Sequence, residues 1–321
     1  MRKNDRPLLV VIAGPTATGK TDVGIEVAAR IGGEVISADS MMVYKGMDIG
    51  TAKPTIEERR GVPHHLIDVI RPDEDFSVAV YQDLAEKAIA GVAARSRMPL
   101  LVGGTGLYIR SVIEPYHFAV PSNPELRRQL SEEARICGRE VLHRRLAAVD
   151  PETAARVHPN NVRRIIRALE VYYQTGRPLS QFHECDRRRE TKYNLLMFGL
   201  YLERELLYKR IEKRVDKMVE QGLVDEVKRL LQQGYGRDLV SMQGLGYKEI
   251  IYYLEGETTL DEAIRILKRN TRRFAKRQFT WFRRDKRIRW INMAEQGGVT
   301  GAAEEIIKAL AGQLRTAAKK Y

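Results

Sequence analysis

Leu8-Leu9-Val10-Val11-Ile12-Ala13-Gly14-Pro15-Thr16-Ala17-Thr18-Gly19-Lys20-Thr21 is the stretch whose reading decides the fold. The apolar run from Leu8 to Ala13 predicts a buried β-strand, it breaks at Gly14, and a helical pattern opens after Thr21. Gly14, Gly19, Lys20 and Thr21 match G-x-x-x-x-G-K-[ST] in the strand–loop–helix setting of a phosphate-binding loop, with Pro15, Thr16, Ala17 and Thr18 between them. The physics is anion binding. Glycines let the backbone curl so that successive N–H groups point inward, and the helix N-terminus adds the positive end of its dipole. Lys20 would bridge phosphate oxygens, and the Thr21 hydroxyl would reach a Mg²⁺ ion. The loop predicts a bound di- or triphosphate without choosing between them.

Working outward, strands and helices alternate. Asp22 to Arg30 predicts a helix, Val35 to Ala38 a second strand running into Asp39-Ser40, and Tyr81 to Arg95 an amphipathic helix. His65 to Ile70 is a third apolar run, and Leu100 to Val102 predicts a further strand leading into Gly103-Gly104-Thr105-Gly106. Such alternation predicts an α/β fold, a P-loop NTPase-like parallel sheet flanked by helices. In such sheets ligands bind beyond the carboxyl ends of the strands, which puts Asp39 and Thr105 on the rim of the phosphate loop. The pattern changes near Glu114-Pro115. From there to Glu190 the apolar residues follow helical spacing and prolines punctuate short helices, which predicts an all-helical insertion. Residues 1–115 and 191–295 then form the core, 116–190 the insertion, and 296–321 a terminal loop and helix. Tyr193 to Leu200 reads as a returning strand, Glu203 to Gln233 as one long helix, and Leu260 to Trp290 as a basic helical stretch. On the long helix Arg214 falls at the edge of the apolar stripe formed by Leu207, Ile211, Val215 and Met218. No acid lies at its i±3 or i±4 positions, so an anionic partner from elsewhere is expected.

Charge sharpens the functional reading. The chain has 321 residues and a formal net charge of +13. Residues 127–189 contain 14 Arg and no Lys against 8 Asp/Glu, and residues 261–290 contain 12 Lys/Arg against 3. Two basic stretches around a near-neutral body predict a nucleic-acid partner, and the aromatics Phe274, Phe279, Trp281 and Phe282 in the second suit unstacked RNA bases. Two cysteines, Cys137 and Cys185, give neither a disulfide framework nor a zinc spacing. With no long apolar run and a short polar N-terminus, a soluble cytoplasmic protein without a membrane partner is expected.

Three classes of phosphate-loop protein compete. A GTP switch needs Asp-x-x-Gly and Asn-Lys-x-Asp, and neither occurs. A small-molecule phosphotransferase, an ATP-dependent kinase in which Asp39 activates a hydroxyl, has no need of so basic a surface. The third is an enzyme that holds a diphosphate while acting on a nucleic acid. Longer strings favour it: Ser37-Ala38-Asp39-Ser40-Met41-Met42-Val43-Tyr44-Lys45-Gly46-Met47-Asp48-Ile49-Gly50-Thr51-Ala52-Lys53-Pro54, Gly103-Gly104-Thr105-Gly106-Leu107-Tyr108, Arg167-Ala168-Leu169-Glu170-Val171 and Asn270-Thr271-Arg272-Arg273-Phe274-Ala275-Lys276-Arg277-Gln278. Together with the phosphate loop these closely resemble the bacterial tRNA dimethylallyltransferases (tRNA isopentenyltransferases), from about residue 8 to 292.

The resemblance implies a definite chemistry. The loop would hold the diphosphate of dimethylallyl diphosphate, and the acceptor would be N6 of the adenosine just 3′ of the anticodon, position 37, in tRNAs reading codons that begin with U. Asp39 would be the general base. Lys20 and Arg214 would stabilise the leaving diphosphate, and Thr16 would relay a proton at its bridging oxygen. Asp39, Ser40, Met41, Met42, Thr105, Arg127 and the run Arg163, Arg164, Ile165, Ile166 and Arg167 would contact the tRNA, with the insertion gripping the anticodon stem-loop. Met42 stands where many members of the family have Gln. Mg²⁺ is the expected cofactor and a monomer the expected state.

Overall fold

The protein, a computed structural model, is described over residues 6–114, 120–182 and 191–318. Its strands are β1 (Leu8–Ala13), β2 (Glu34–Ser37), β3 (His64–His65), β4 (Pro99–Gly103), β5 (Asn194–Tyr201) and β6 (Ile288–Asn292). They form one parallel sheet in the order β3-β2-β4-β1-β5-β6. β1 sits in the middle because both of its faces are apolar. Val10 and Ile12 join a cluster with Val23 and Val27 of α1 (Lys20–Ile31), whereas Leu9 and Val11 join one with Tyr81 and Ile89 of α2 (Val78–Ala94) and Ile109 of α3 (Gly106–Ile113). The register pairs Ala13 with Gly103 on one side and Gly199 on the other. The loops after β1, β4 and β5 therefore open on the same rim.

Glu114–Thr191 forms a second compact unit. It contains α4 (Pro124–Cys137), α5 (Arg139–Val149), α6 (Pro151–Arg156) and α7 (Val162–Thr175), packed around Leu130, Leu142, Leu146, Ile165 and Leu169. Asn123 and Asp150 cap α4 and α6, each accepting an N–H three residues on, with Pro124 and Pro151 opening the helices where no N–H is needed. Within this unit the Glu170 carboxylate is fully buried and held by Arg127 at 2.8 and 2.9 Å, by Arg167 at 2.5 Å and by the Asn123 N–H at 2.7 Å. Cys137 is exposed. Cys185, Arg187 to Arg189 and Pro115 lie outside the described residues.

Three expectations are corrected. The run His65 to Ile70 gives only the two-residue β3, because Leu66 and Asp68 take left-handed backbone (φ 64° and 55°) and turn the chain away from the sheet edge. The segment beyond bonds instead to Met42 and Val43, and the Lys53 ammonium ties it to the 44–48 loop through Asp68, Asp48 and the Tyr44 carbonyl. The long helix from Glu203 to Gln233 is two helices, α8 (Arg204–Glu220) and α9 (Leu223–Gln232), broken at Gly222 with φ 97°. Only glycine takes that backbone without strain. The basic stretch from Leu260 is helical as far as Phe282 and then becomes β6, which carries Trp290. α10 (Tyr247–Leu254) and α11 (Leu260–Phe282) precede that strand. The terminal helix α12 (Gly298–Ala318) belongs to the core, contributing Ala302, Ala303, Ile306 and Leu310 to the α1 side of the sheet.

One buried carboxylate organises the loop after β2. Glu226 of α9 accepts N–H groups from Asp48, Ile49 and Gly50 at 3.0, 2.8 and 3.1 Å and the Tyr247 hydroxyl at 2.7 Å. Replacing it by Ala leaves these donors without their acceptor in the interior. Glu226→Ala is expected to lower unfolding free energy by about 3 kcal/mol in urea titration. A loss under about 1 kcal/mol would show that water replaces the carboxylate at little cost.

Candidate functional site

A pocket of about 360 Å³ opens on the rim at the carboxyl ends of the strands. Its polar end is built by the loops. Thr16, Lys20 and Thr21 come from the phosphate loop, Asp39 and Ser40 from the turn after β2, and Thr105 from the turn after β4. Its walls carry an apolar set, Ile211, Val215 and Met218 from α8, Leu267 and Phe274 from α11, Leu245 before α10, and Met41 and Met42, interspersed with Gln243, Lys248 and Thr271. Arg214 enters between the α8 wall residues, and Arg277 lies on the α11 side.

The phosphate loop has the backbone of an anion cradle. Ala17 and Gly19 take φ values of 64° and 88°, which turn successive amides to one side. Among the described residues, no backbone oxygen accepts the N–H groups of Ala17, Thr18, Gly19, Lys20 or Thr21. Such orphan donors at a helix start are the groups that bind anions. The side chains brace the loop from within. The Thr18 hydroxyl, fully buried, donates to the Pro15 carbonyl at 2.9 Å, and the Lys20 ammonium donates to the same oxygen at 2.6 Å.

The Asp39 side of the pocket is equally fixed. The Asp39 carboxylate accepts the Met41 N–H at 2.9 Å, and Thr105 Oγ1 accepts the Ser40 N–H at 3.0 Å. Below them the Tyr81 ring stacks on Tyr108 at 3.8 Å and its hydroxyl donates to the Ser37 carbonyl. The Met42 thioether lies 3.8 Å from the Ser37 hydroxyl, and its side chain is buried. Lys20 and Arg214 share the influence of the Asp39 carboxylate. Enclosure of Lys20, with Arg214 nearby, lowers its pKa from 10.5 to about 7, and Asp39 opposes that shift. The Arg214 guanidinium is pulled down by desolvation against the opposing pull of Asp39 and Asp22. Such a pair of under-compensated cations awaits an anion.

Nine of the residues singled out from the sequence thus meet in this pocket: Thr16, Lys20, Thr21, Asp39, Ser40, Met41, Met42, Thr105 and Arg214. Gly14, Pro15, Ala17, Thr18 and Gly19 form the loop behind it. The other group lies in the helical unit and divides there. Arg163 and Arg164 are exposed, but Ile165 and Ile166 are core residues at 0% and 6% exposure. Their side chains are corrected from tRNA contacts to packing, because α7 turns that face onto α4 and α5. Arg127 and Arg167 brace Glu170. Of the aromatics on α11, Phe282 is buried in the sheet cluster and Phe279 packs edge-on against Trp290, leaving Phe274 on the pocket and Trp281 partly exposed. Leu245, Leu267 and Tyr247 carried no recognisable signal singly, since each is an ordinary core-type residue until the helices are packed.

The profile of the IPP transferase family matches residues 42–285, and that of an isopentenyl transferase family matches residues 7–71. The chain belongs to the IPP transferase family. It is 65% identical over 302 residues to the tRNA dimethylallyltransferase of Desulforudis audaxviator, covering 94% of this chain and 97% of the relative. The crystal structure of the full-length tRNA isopentenylpyrophosphate transferase from Bacillus halodurans superposes with TM-score 0.71 at 48% identity, over 98% of this chain and 99% of that one. A eukaryotic dimethylallyltransferase captured acting on tRNA gives TM-score 0.76 at 32% identity, over 86% of this chain and 70% of that one. Among the described residues no helix is long and apolar enough to cross a membrane.

The Lys20 environment has a measurable consequence. Lys20 is charged below about pH 7 and neutral above it, whereas an unfolded chain keeps that charge to about 10.5. Between those values the unfolded state binds more protons, so this group's contribution makes stability rise with pH. An anion on the loop favours the ammonium and reverses the shift. Pyrophosphate binding at pH 8 is therefore expected to take up more protons in the wild type than in Lys20→Met, read by calorimetry in buffers of different ionisation enthalpy. Equal uptake would mean that Lys20 is already charged there.

Proposed function

We propose that the protein transfers the dimethylallyl group of dimethylallyl diphosphate to N6 of the adenosine 3′ of the anticodon, position 37, in tRNAs reading codons that begin with U. The observation that carries this reading is the two-part pocket. An anion cradle and a carboxylate share its polar end, and α8 and α11 bring the apolar Ile211, Val215, Met218, Leu267 and Phe274 to the rest. A five-carbon allyl diphosphate has matching halves. The competing phosphotransferase reading is not favoured by the relatives, which are named for prenyl transfer to tRNA.

The adenine N6 lone pair is delocalised into the ring, so the amine is a weak nucleophile. Asp39 takes its proton as N6 attacks C1 of the allyl group. The C1–O bond breaks and its electron pair leaves on pyrophosphate. Lys20, Arg214 and the loop amides are aimed where that charge grows. Thr16 stands beside the departing diphosphate, where its hydroxyl can pass a proton to the bridging oxygen. The target base must leave the anticodon-loop stack to enter, at a cost of a few kcal/mol.

Among the described residues no group of three His, Cys, Asp or Glu could hold a metal by itself. The residues do fit a Mg²⁺ that arrives with the diphosphate. The Thr21 hydroxyl would supply a single protein ligand, with phosphate oxygens and water supplying the rest. When bound, the ion would neutralise leaving-group charge. Arg163 and Arg164 would meet the phosphates of the anticodon stem-loop, and the protein would act on tRNA as a monomer.

The deciding assay combines protein, Mg²⁺, labelled dimethylallyl diphosphate and unmodified tRNA, with ATP added in a parallel tube. Label should reach tRNA without ATP; ATP turnover with unlabelled tRNA would overturn the reading. Asp39→Asn is expected to lower kcat by roughly 10²- to 10⁴-fold, and retention within a few-fold would remove Asp39 as the base. Replacing Arg163 and Arg164 together by Ala should raise KM for tRNA and lessen its dependence on salt while leaving KM for dimethylallyl diphosphate unchanged.

A further inference from the structure

Gln278 is a polar side chain of α11 that the proposed chemistry does not use, yet it is only 8% exposed. Its Oε1 accepts the Thr16 N–H at 2.9 Å from 262 residues away in sequence. Its Nε2 donates to the Gly104 carbonyl at 2.9 Å. The fit is close: a Cβ on Gly104 would stand 2.4 Å from that nitrogen, so a side chain there would push the amide from its place.

Both partners are placed tellingly. In the phosphate loop, the amides from Ala17 to Thr21 have no backbone acceptor among the described residues, whereas the Thr16 amide is taken by Gln278. Gln278 therefore marks where the anion cradle begins and fixes the residue that stands beside the leaving group. On the other side, Gly104 precedes Thr105, whose hydroxyl accepts the Ser40 N–H next to Asp39. One carboxamide thus joins the leaving-group end of the pocket to the base end. It does so from the helix that also brings Thr271, Phe274 and Arg277 to the pocket and exposes Arg273 and Lys276 to solvent.

We propose that Gln278 is a positioning residue that sets the separation between the diphosphate cradle and the Asp39 carboxylate, and ties both to the basic helix α11. The proposal rests on the transfer reading above. A displacement needs nucleophile, C1 and leaving oxygen in line, and misplacement by about 1 Å costs roughly 10²-fold in rate. Two hydrogen bonds from one rigid amide are an economical way to hold that spacing across loops that are otherwise separate in sequence.

The test is Gln278→Met, which keeps the shape and removes both hydrogen bonds. In steady-state transfer, kcat should fall at least tenfold and KM for dimethylallyl diphosphate should rise at least threefold, with Kd for tRNA by filter binding within twofold of wild type. The rise in Tm that pyrophosphate gives the wild type should shrink by more than half. A purely structural role predicts otherwise. It would lower the ligand-free Tm and the active fraction while leaving KM and the pyrophosphate-induced shift unchanged, and that result would overturn the proposal. Loss of cooperative melting in Gln278→Met would also overturn it, by making Gln278 a folding lock. If the wild type itself moves no label to tRNA, the transfer reading fails, and the pyrophosphate shift still decides whether Gln278 shapes the cradle.

Discussion

A run of backbone amides that the protein itself leaves unpaired is the constraint on which the rest of this structure depends. Backbone N–H groups are mostly satisfied internally, and among the described residues those from Ala17 to Thr21 have no backbone acceptor within hydrogen-bond geometry. Holding them in place requires a strand ending at the right level, a loop with left-handed residues, and an internal brace. β1 supplies the first through its pairing with β4 and β5, Ala17 and Gly19 the second, and the Thr18 and Lys20 bonds to the Pro15 carbonyl the third. The cations gathered around the loop follow from the same need, since amides alone offer only partial charges to a diphosphate.

The pocket gains its second character from helices rather than loops. α8 and α11 turn apolar side chains toward the rim, so the anion end meets an apolar surface. A cradle in such surroundings interacts more strongly with developing charge than one open to solvent. The same enclosure accounts for the depressed Lys20: a charge that is costly without an anion becomes favourable with one.

Much of the long string from Ser37 to Pro54 turns out to be scaffolding around the few residues that face the pocket. Lys53 ties Asp48, Asp68 and the Tyr44 carbonyl together, and Glu226 gathers three consecutive amides. These contacts hold the turn that presents Asp39 to Met42. The arginines of the helical unit divide in the same way, with Arg127 and Arg167 spent on Glu170 and with Arg163 and Arg164 left at the surface. A basic composition does not say which cations are free.

The sequence by itself determined the strand–loop–helix at residues 8–21, the α/β class, the position of Asp39 and Thr105 at strand ends, and the family likeness. These are local facts, set by periodicity, glycine spacing and the chemistry of adjacent residues. It also marked out Arg214, a cation on an apolar edge without a nearby acid, and that residue lines the pocket. Only the tertiary structure decided that β3 stops after two residues, that Gly222 splits a helix and that Ile165 and Ile166 are core. The same is true of Gln278, which bridges Thr16 and Gly104. Each of these turns on a backbone angle or on a partner far away in the chain, and neither is encoded in the spacing of neighbouring side chains.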